Sequence, residues 1–321
     1  MPTESANSSA PTEQQVHEYF KTLSNWGRWG EEDEAGTLNY ITPEKHAAAA
    51  RLVTEGVAVS CSLDLGTSQQ PDQILGAPQR LMLVTGESAH PEDPPAMAAW
   101  GPMEYFGLAF HGFTVTHVDS LCHCVWEDKM YNDRPANMVT ARSGGLANSV
   151  LAARNGITTR GVILDIAGLK GKDWLDPGEG VFPEDLDAAE KRQGITVESG
   201  DAVFLRTGYG RRRRELGAED MLSTGQSGWH VASLPWLHER EVAIIGSDTS
   251  QEVVPSGYTN PVLPVHSVGI VAMGLWLVDN LDLEDATAKC LEFDRWEFHL
   301  AMHPLLIEGG TGSPVNPIAS F

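Results

Sequence analysis

The chain has 321 residues, 41% of them hydrophobic and 21% charged, enough for a sizeable core in one domain or two. Its 44 acidic and 22 basic side chains leave a net charge of −22, which argues against nucleic acid or an anionic membrane surface as a partner. No stretch offers the roughly 20 apolar residues that span a bilayer, and four cysteines make no disulfide framework, so a cytoplasmic protein is expected.

Met1 to Thr12 is polar and lacks the apolar segment of a signal peptide; residues 1–15 are expected to be a disordered tail ahead of one domain, 16–321. Val16 to Leu23 reads as a short helix. Between Asn25 and Asn39, Trp26 and Trp29 stand among glycines and acids. That composition suits a loop packed over something, and anchoring and substrate contact fit it equally. Thr42-Pro43 opens a helix, with a hydroxyl at the N-cap and proline at the first helical position. Val57 to Leu65 alternates as a strand does. Thr67 to Ala99, rich in Pro, Gly and Gln, reads as an irregular insertion, a lid or an oligomer arm.

The next stretch, His111-Gly-Phe-Thr-Val-Thr-His117-Val-Asp119-Ser-Leu-Cys-His123, carries three histidines and reads as a strand running into a turn. Alternate side chains on a strand share a face, so His117 and Asp119 project together, and His111 and His123 have the same parity. An imidazole beside a carboxylate suits Zn²⁺ or Mn²⁺ better than Ca²⁺, which takes oxygen ligands. Phe110, Val115, Val118, Leu121, Val125 and Trp126 mark the segment as largely buried. Buried His and Asp need partners, which favours a metal site over a solvated strand face. Cys122 and Cys124 lack a second pair and are expected to be buried free thiols.

Further on, Tyr131 reads as a packed tyrosine, with substrate contact as the alternative. Gly144 to Arg154 is expected to be helical, Gly161 to Ile166 a buried strand, Pro183 to Gly194 a helix, and Gly200 to Gly208 another buried strand. The basic run Arg211 to Arg214 is followed by Glu215, Glu219 and Asp220 and reads as a solvated, partly self-compensated face. Trp229 to Arg240 should be a helix and Val242 to Asp248 a strand ending in an acid. The alternation of strand and helix, with no linker dividing it, argues for α/β layers in one domain. His266 opens an apolar helix, Ser267 to Met273, and Asp279 follows about a dozen residues later. His299 and His303 read as ordinary strand residues near the sheet's end rather than ligands. The glycines of Gly309 to Pro317 lack the GKS/T of a phosphate loop.

THxDxxxH resembles the core of the cyclase-like metal-dependent hydrolases, which include bacterial kynurenine formamidases and isatin hydrolases and share the signature HxGTHxDxPxH. Thr116, His117, Asp119 and His123 match it. Phe113 stands where the first histidine belongs, Val115 replaces the glycine and Leu121 the proline. The resemblance extends to the Trp26–Asn39 segment, similar to the long branch's WGxxDxxGxLN, and to Gly200–Gly208, similar to GDxxLxRTG. It implies a swivelling β/β/α fold with layered mixed sheets and outer helices in a single domain, as a homodimer or homotetramer. It also implies a divalent metal, Mn²⁺ or Zn²⁺, held by His117, Asp119, His266 and Asp279. His111 is a possible substitute ligand for the histidine lost at Phe113, and a one-metal site is the preferred expectation. His123 matches the catalytic acid/base; Trp26, Trp29, Phe113 and Tyr131 are candidates for lining the substrate site. Asp248 is a candidate for orienting a ligand imidazole, or else a helix cap. The activity implied is hydrolysis of an amide, lactam or lactone of a small molecule through metal-activated water. The alternatives are a metal-dependent cyclase or dehydratase on a polyketide-like substrate, or a non-catalytic binding protein with a decayed centre.

Overall fold

The computed structural model describes residues 10–88 and 101–321; most of the expected tail and part of the 67–99 insertion lie outside them. Among the described residues the chain forms one mixed nine-stranded sheet with helices packed on it. In chain order the elements used below are α1 (Glu13–Thr22), α2 (Pro43–Ala50), β1 (Ala58–Ser60), β2 (Gln79–Val84), β3 (Met103–Gly107), β4 (His117–Asp119), β5 (Ile157–Asp165) and α3 (Pro183–Gln193). They continue with β6 (Ala202–Arg206), α4 (Tyr209–Leu216), α5 (Leu234–Glu239), β7 (Ile244–Ser247), β8 (Trp276–Asp279), α6 (Glu284–Phe293), β9 (Glu297–Met302), β10 (Gly312–Pro314) and β11 (Ile318–Ser320). The sheet order is β1-β11-β9-β5-β6-β7-β8-β4-β10.

Strands β5 to β8 run parallel at the centre, and β6, β7 and β8 are buried along their whole length. Runs such as Ala-Val-Phe-Leu and Trp-Leu-Val are what a strand covered on both faces requires. Phe204, Trp229, Trp276, Phe298 and Phe321 are fully buried. Each large side chain so buried contributes on the order of 1.5–3 kcal/mol.

GDxxLxRTG is an architectural motif. Asp201 takes Arg160 on both oxygens, at 2.9 and 2.6 Å, and Lys45 at 2.6 Å. Arg206 reaches Glu284 with two nitrogens and Asp165 with a third, all at 2.8 Å, so it ties the ends of β5 and β6 to the start of α6. Gly208 turns the chain at φ +81°, and a Cβ there would meet the Asp173 carbonyl oxygen at 2.3 Å.

Helices open where capping residues predict. Thr42 accepts from the Lys45 amide, and Gly194 ends α3 at φ 64°. The first helix starts at Glu13, capped by Thr12 with a Gln15 capping box, ahead of the expected Val16. Residues 144–154 hold a two-residue strand, Gly144–Gly145, paired with Val139–Thr140, and a 3₁₀ turn, Val150–Ala153; the Gly145 and Val150 amides donate to the Gly309 and Gly310 carbonyls rather than along a helix. The 229–240 segment splits into a 3₁₀ turn and α5. The 67–99 stretch contains β2, which pairs with β3 beyond it in an antiparallel ribbon, with Leu81, Leu83 and Tyr105 exposed. The basic run is compensated locally only in part: Arg211 pairs with Glu215 and Arg212 with Glu219, whereas Arg213 reaches the buried Asp72 and Arg214 pairs with Asp282.

Replacing Arg206 with Met leaves Asp165 and Glu284 facing each other without their cation. The expected cost is about 3 kcal/mol, read as a lowered thermal midpoint with unchanged metal uptake by the protein that remains folded.

Candidate metal centre

β4 is three residues long but is clamped on both sides. Leu277 of β8 and Gly312 of β10 lie opposite Asp119, and Asp279 lies opposite His117. Opposed residues of an antiparallel pair project to one face, so His117, Asp119 and Asp279 converge, as the parity of the motif predicts for the first two. The strand does not extend to His111 or His123. His111 sits on a loop that Gly112 bends at φ +129°, and His123 is carried back by a turn in which its amide donates to the Ser120 carbonyl at 3.0 Å. Both rings still reach Asp119 and stack on each other with centroids 3.9 Å apart.

Anchors from distant segments hold this loop. The Asn280 side-chain amide donates to the carbonyls of Gly112 and Val115, at 2.7 and 3.0 Å. The Thr116 hydroxyl donates to the Asn280 carbonyl and accepts from the Leu63 amide. The Thr311 hydroxyl meets His111 Nε2 at 3.0 Å. His117 Nδ1 donates to the Val115 carbonyl at 2.8 Å, which leaves Nε2 facing the acids.

Asp119 is buried, and neither of its carboxylate oxygens has a hydrogen-bond partner. Four imidazoles surround it: His111 Nδ1 at 3.1 Å, out of line for a hydrogen bond, and Nε2 of His117, His266 and His123 at 3.5, 3.6 and 3.9 Å. Burial opposes its ionised form, yet His123, His111, His117 and His266 together hold its pKa well below the usual carboxylate range. Two donor triads result, His111–His117–Asp119 and Asp119–His266–Asp279, the ligand atoms within each lying no more than 4.8 Å apart. Imidazole nitrogens and carboxylate oxygens at such spacing, around an acid with two unpaired oxygens, suit Zn²⁺ or Mn²⁺. The residues therefore fit a divalent ion, with His111 in one triad despite Phe113.

Residues absent from the sequence reading complete the surroundings. Glu252 accepts from the His266 backbone amide at 2.8 Å and from His266 Nδ1. Gln251 donates to Asp279 Oδ1 at 2.9 Å and to the Val278 carbonyl. Burial disfavours the charged His266 ring, but Glu252 and Asp279 outweigh it and raise its pKa well above the ordinary value. His123, at the rim, is pushed down to about 4 by burial, against the pull of Asp119.

Other candidates stand elsewhere. Asp248 touches no imidazole: it accepts from the amides of Thr207, Gly208 and Tyr209 and from the Thr207 hydroxyl, capping α4, and burial pushes it up to about 6. Glu252 has the imidazole-orienting position expected of Asp248. Tyr131 is fully buried and donates to Asp33 at 2.9 Å, so it is a packing residue. Trp26 donates to the Val271 carbonyl at 2.6 Å, and Trp29 lies edge-on to Tyr40. The Trp26 bond fastens the loop to the helical segment that follows His266, and Trp29 packs within the loop's own stretch; both placements fit the anchoring alternative. Phe113 lies half-buried on the His111 loop. All four cysteines are free thiols, Cys122 buried and Cys124 half-buried. His299 and His303 belong to neither triad.

Residues 47–251 match the family model Cyclase, described as "Putative cyclase". A crystal structure described as a novel cyclase is 30% identical, with 94% of this chain and 100% of that chain covered at a TM-score of 0.86. Isatin hydrolase A from Ralstonia solanacearum is 23% identical over 87% of this chain and 97% of its own, TM-score 0.58. Isatin hydrolase A from Labrenzia aggregata, bound to benzyl benzoate, is 18% identical over 83% and 94%, TM-score 0.57. At those identities the two hydrolases bear on the fold alone. No curated protein matches the chain.

Asp119 belongs to both triads, so Asp119→Ala should abolish ion binding altogether. In a thermal-shift measurement, Mn²⁺ or Zn²⁺ should raise the wild-type midpoint, by the linkage of binding to folding, and leave that of the variant unmoved. An equal shift in both proteins would remove Asp119 from the site.

Proposed function

The chain belongs to the Cyclase family, and from that premise we propose that it is a metal-dependent hydrolase cleaving an amide, lactam or lactone bond of a small molecule. The observation that carries the proposal is Asp119, buried with both oxygens unpaired and ringed by four imidazoles. Asp119, His266 and Asp279 would hold one divalent ion, and His117 and Asp119, with His111 completing that triad, offer a second position in place of the single one expected from the sequence. Mn²⁺ or Zn²⁺, when bound, makes water acidic enough to attack near neutral pH and polarises a carbonyl.

The chain's own residues then have separate tasks. Val115 and Glu252 hold Nδ1 of His117 and His266, so that in each ring Nε2 faces the acids. His123, partly exposed and kept uncharged by burial, takes the proton from the attacking water and returns it to the departing nitrogen or oxygen. Phe113, on the loop with His111, offers an apolar contact to the substrate. Isatin, in the name of two neighbours that share the fold, is a cyclic amide, and lactams therefore come first among the bonds to be tried.

The relative described as a novel cyclase, similar over nearly the whole chain, favours a second reading in which the same residues serve a cyclase or dehydratase. The exposed apolar side chains of the β2–β3 ribbon support the further proposal of a homodimer or homotetramer.

The test is a panel of lactams, lactones and formamides, assayed with metal-loaded and chelator-treated protein. Chelator-sensitive turnover is expected; stoichiometric metal with no turnover of any would turn the assignment to the second reading. His123→Ala should keep its ion while losing on the order of 10²–10⁴-fold in kcat. Loss of the ion instead would make His123 a ligand.

A further inference from the structure

The two triads share Asp119 but differ in everything behind it. In the first, the groups holding the imidazoles are neutral: the Val115 carbonyl on His117 and the Thr311 hydroxyl on His111. Its third member, His111, has a quarter of its side chain exposed (25%) and sits on a loop outside the sheet. In the second, His266 and Asp279 are buried at a helix start and on β8. Glu252, itself 1% exposed, grips His266 at both Nδ1 and the backbone amide. That double grip fixes the ring's rotation, with Nε2 3.6 Å from both Asp119 and Asp279.

Charge separates the triads further. Asp119, Asp279 and Glu252 place three carboxylates around one imidazole, and among the described residues no lysine or arginine pairs with any of them. The first triad has the shared carboxylate and Asp279 at 3.8 Å from His117 Nε2, but no carboxylate behind either imidazole; Glu252 is the acid that the second triad alone possesses. A divalent cation is drawn to the larger uncompensated negative charge and to the donors whose geometry costs least to fix. A carboxylate behind an imidazole also makes its far nitrogen a better donor.

Resting on the metal-centre reading above, we propose that the two positions fill in order. The Asp119–His266–Asp279 triad is the high-affinity position, and Glu252 is the positioning residue that makes it so. The His111–His117–Asp119 triad is the weaker, exchangeable position, completed by a side chain on a loop.

The experiment titrates chelator-stripped full-length protein with Mn²⁺ and follows the free ion by its electron paramagnetic resonance signal. Wild type should show two classes of site at least tenfold apart in Kd. Glu252→Gln, which keeps the shape but not the charge, should weaken the tight class by about 10–100-fold and move the weak class less than threefold. Glu252→Asp should recover part of that loss. His111→Ala, at a partly exposed loop position, should remove the weak class and spare the tight one, and it carries the test if the Glu252 variants fold poorly. Two classes of equal affinity, an unaltered tight class in Glu252→Gln, or loss of the tight class in His111→Ala would overturn the order of filling while leaving a metal centre in place. No Mn²⁺ binding by wild type would overturn the centre itself.

Discussion

One constraint governs the rest: an ionised carboxylate, Asp119, is taken out of water with no hydrogen-bond donor on either oxygen. Leaving a buried charge so exposed to its own field costs several kcal/mol unless a cation answers it. The surrounding fold concentrates on holding that acid still. β4 spans three residues yet pairs with both β8 and β10, and Gly312 is the residue opposite because a Cβ there would meet the Val118 carbonyl oxygen at 2.4 Å. The rigidity that brings four imidazoles to one carboxylate therefore comes from a sheet that closes over β4 only when the C-terminal segment docks.

Two acids near the ends of neighbouring parallel strands show how surroundings assign the task. Asp248 follows β7 and Asp279 ends β8, and nothing in their local sequence separates them. Asp248 meets three backbone amides and a hydroxyl from the start of α4, which use both of its oxygens. Asp279 receives only the Gln251 amide on one oxygen and turns the other to His117 and His266. A carboxylate saturated with donors is structural; one left half-satisfied among imidazoles is available to a cation.

The same contrast explains what could be read from the chain alone. Strand parity placed His117 and Asp119 on one face because both lie within β4, where the period of two holds. His111 and His123 were proposed on that parity too. They arrive for other reasons, a glycine bend and a turn, whose endpoints are set by Asn280, Thr116 and Thr311 far away in sequence. Glu252 carried no signal: fourteen positions before His266, it belongs to no spacing rule, and only the folded loop brings it to the ring. His266 and Asp279 were nameable from the family resemblance. Tyr131 and the tryptophans were ambiguous because an aromatic ring that anchors a loop and one that lines a pocket have the same composition around them.

The anchoring loop is nevertheless connected to the chemistry. The segment Asn25 to Asn39 fastens to the helix that follows His266 through Asn25 on the Met273 carbonyl and Trp26 on the Val271 carbonyl. It reaches β8 through the Trp276 indole on the Ala35 carbonyl. Its acid, Asp33, takes the Tyr131 hydroxyl. The helix carrying His266 is thus held from outside by the loop and at its first turn by Glu252, whereas His111 is held by single polar contacts on a bent loop. Under the proposed function, a site that keeps an ion and admits a substrate needs both kinds of support, stiffness at the ion and compliance at the entrance. Donors divided between a braced helix and a bent loop, with one carboxylate common to both, fit that proposal.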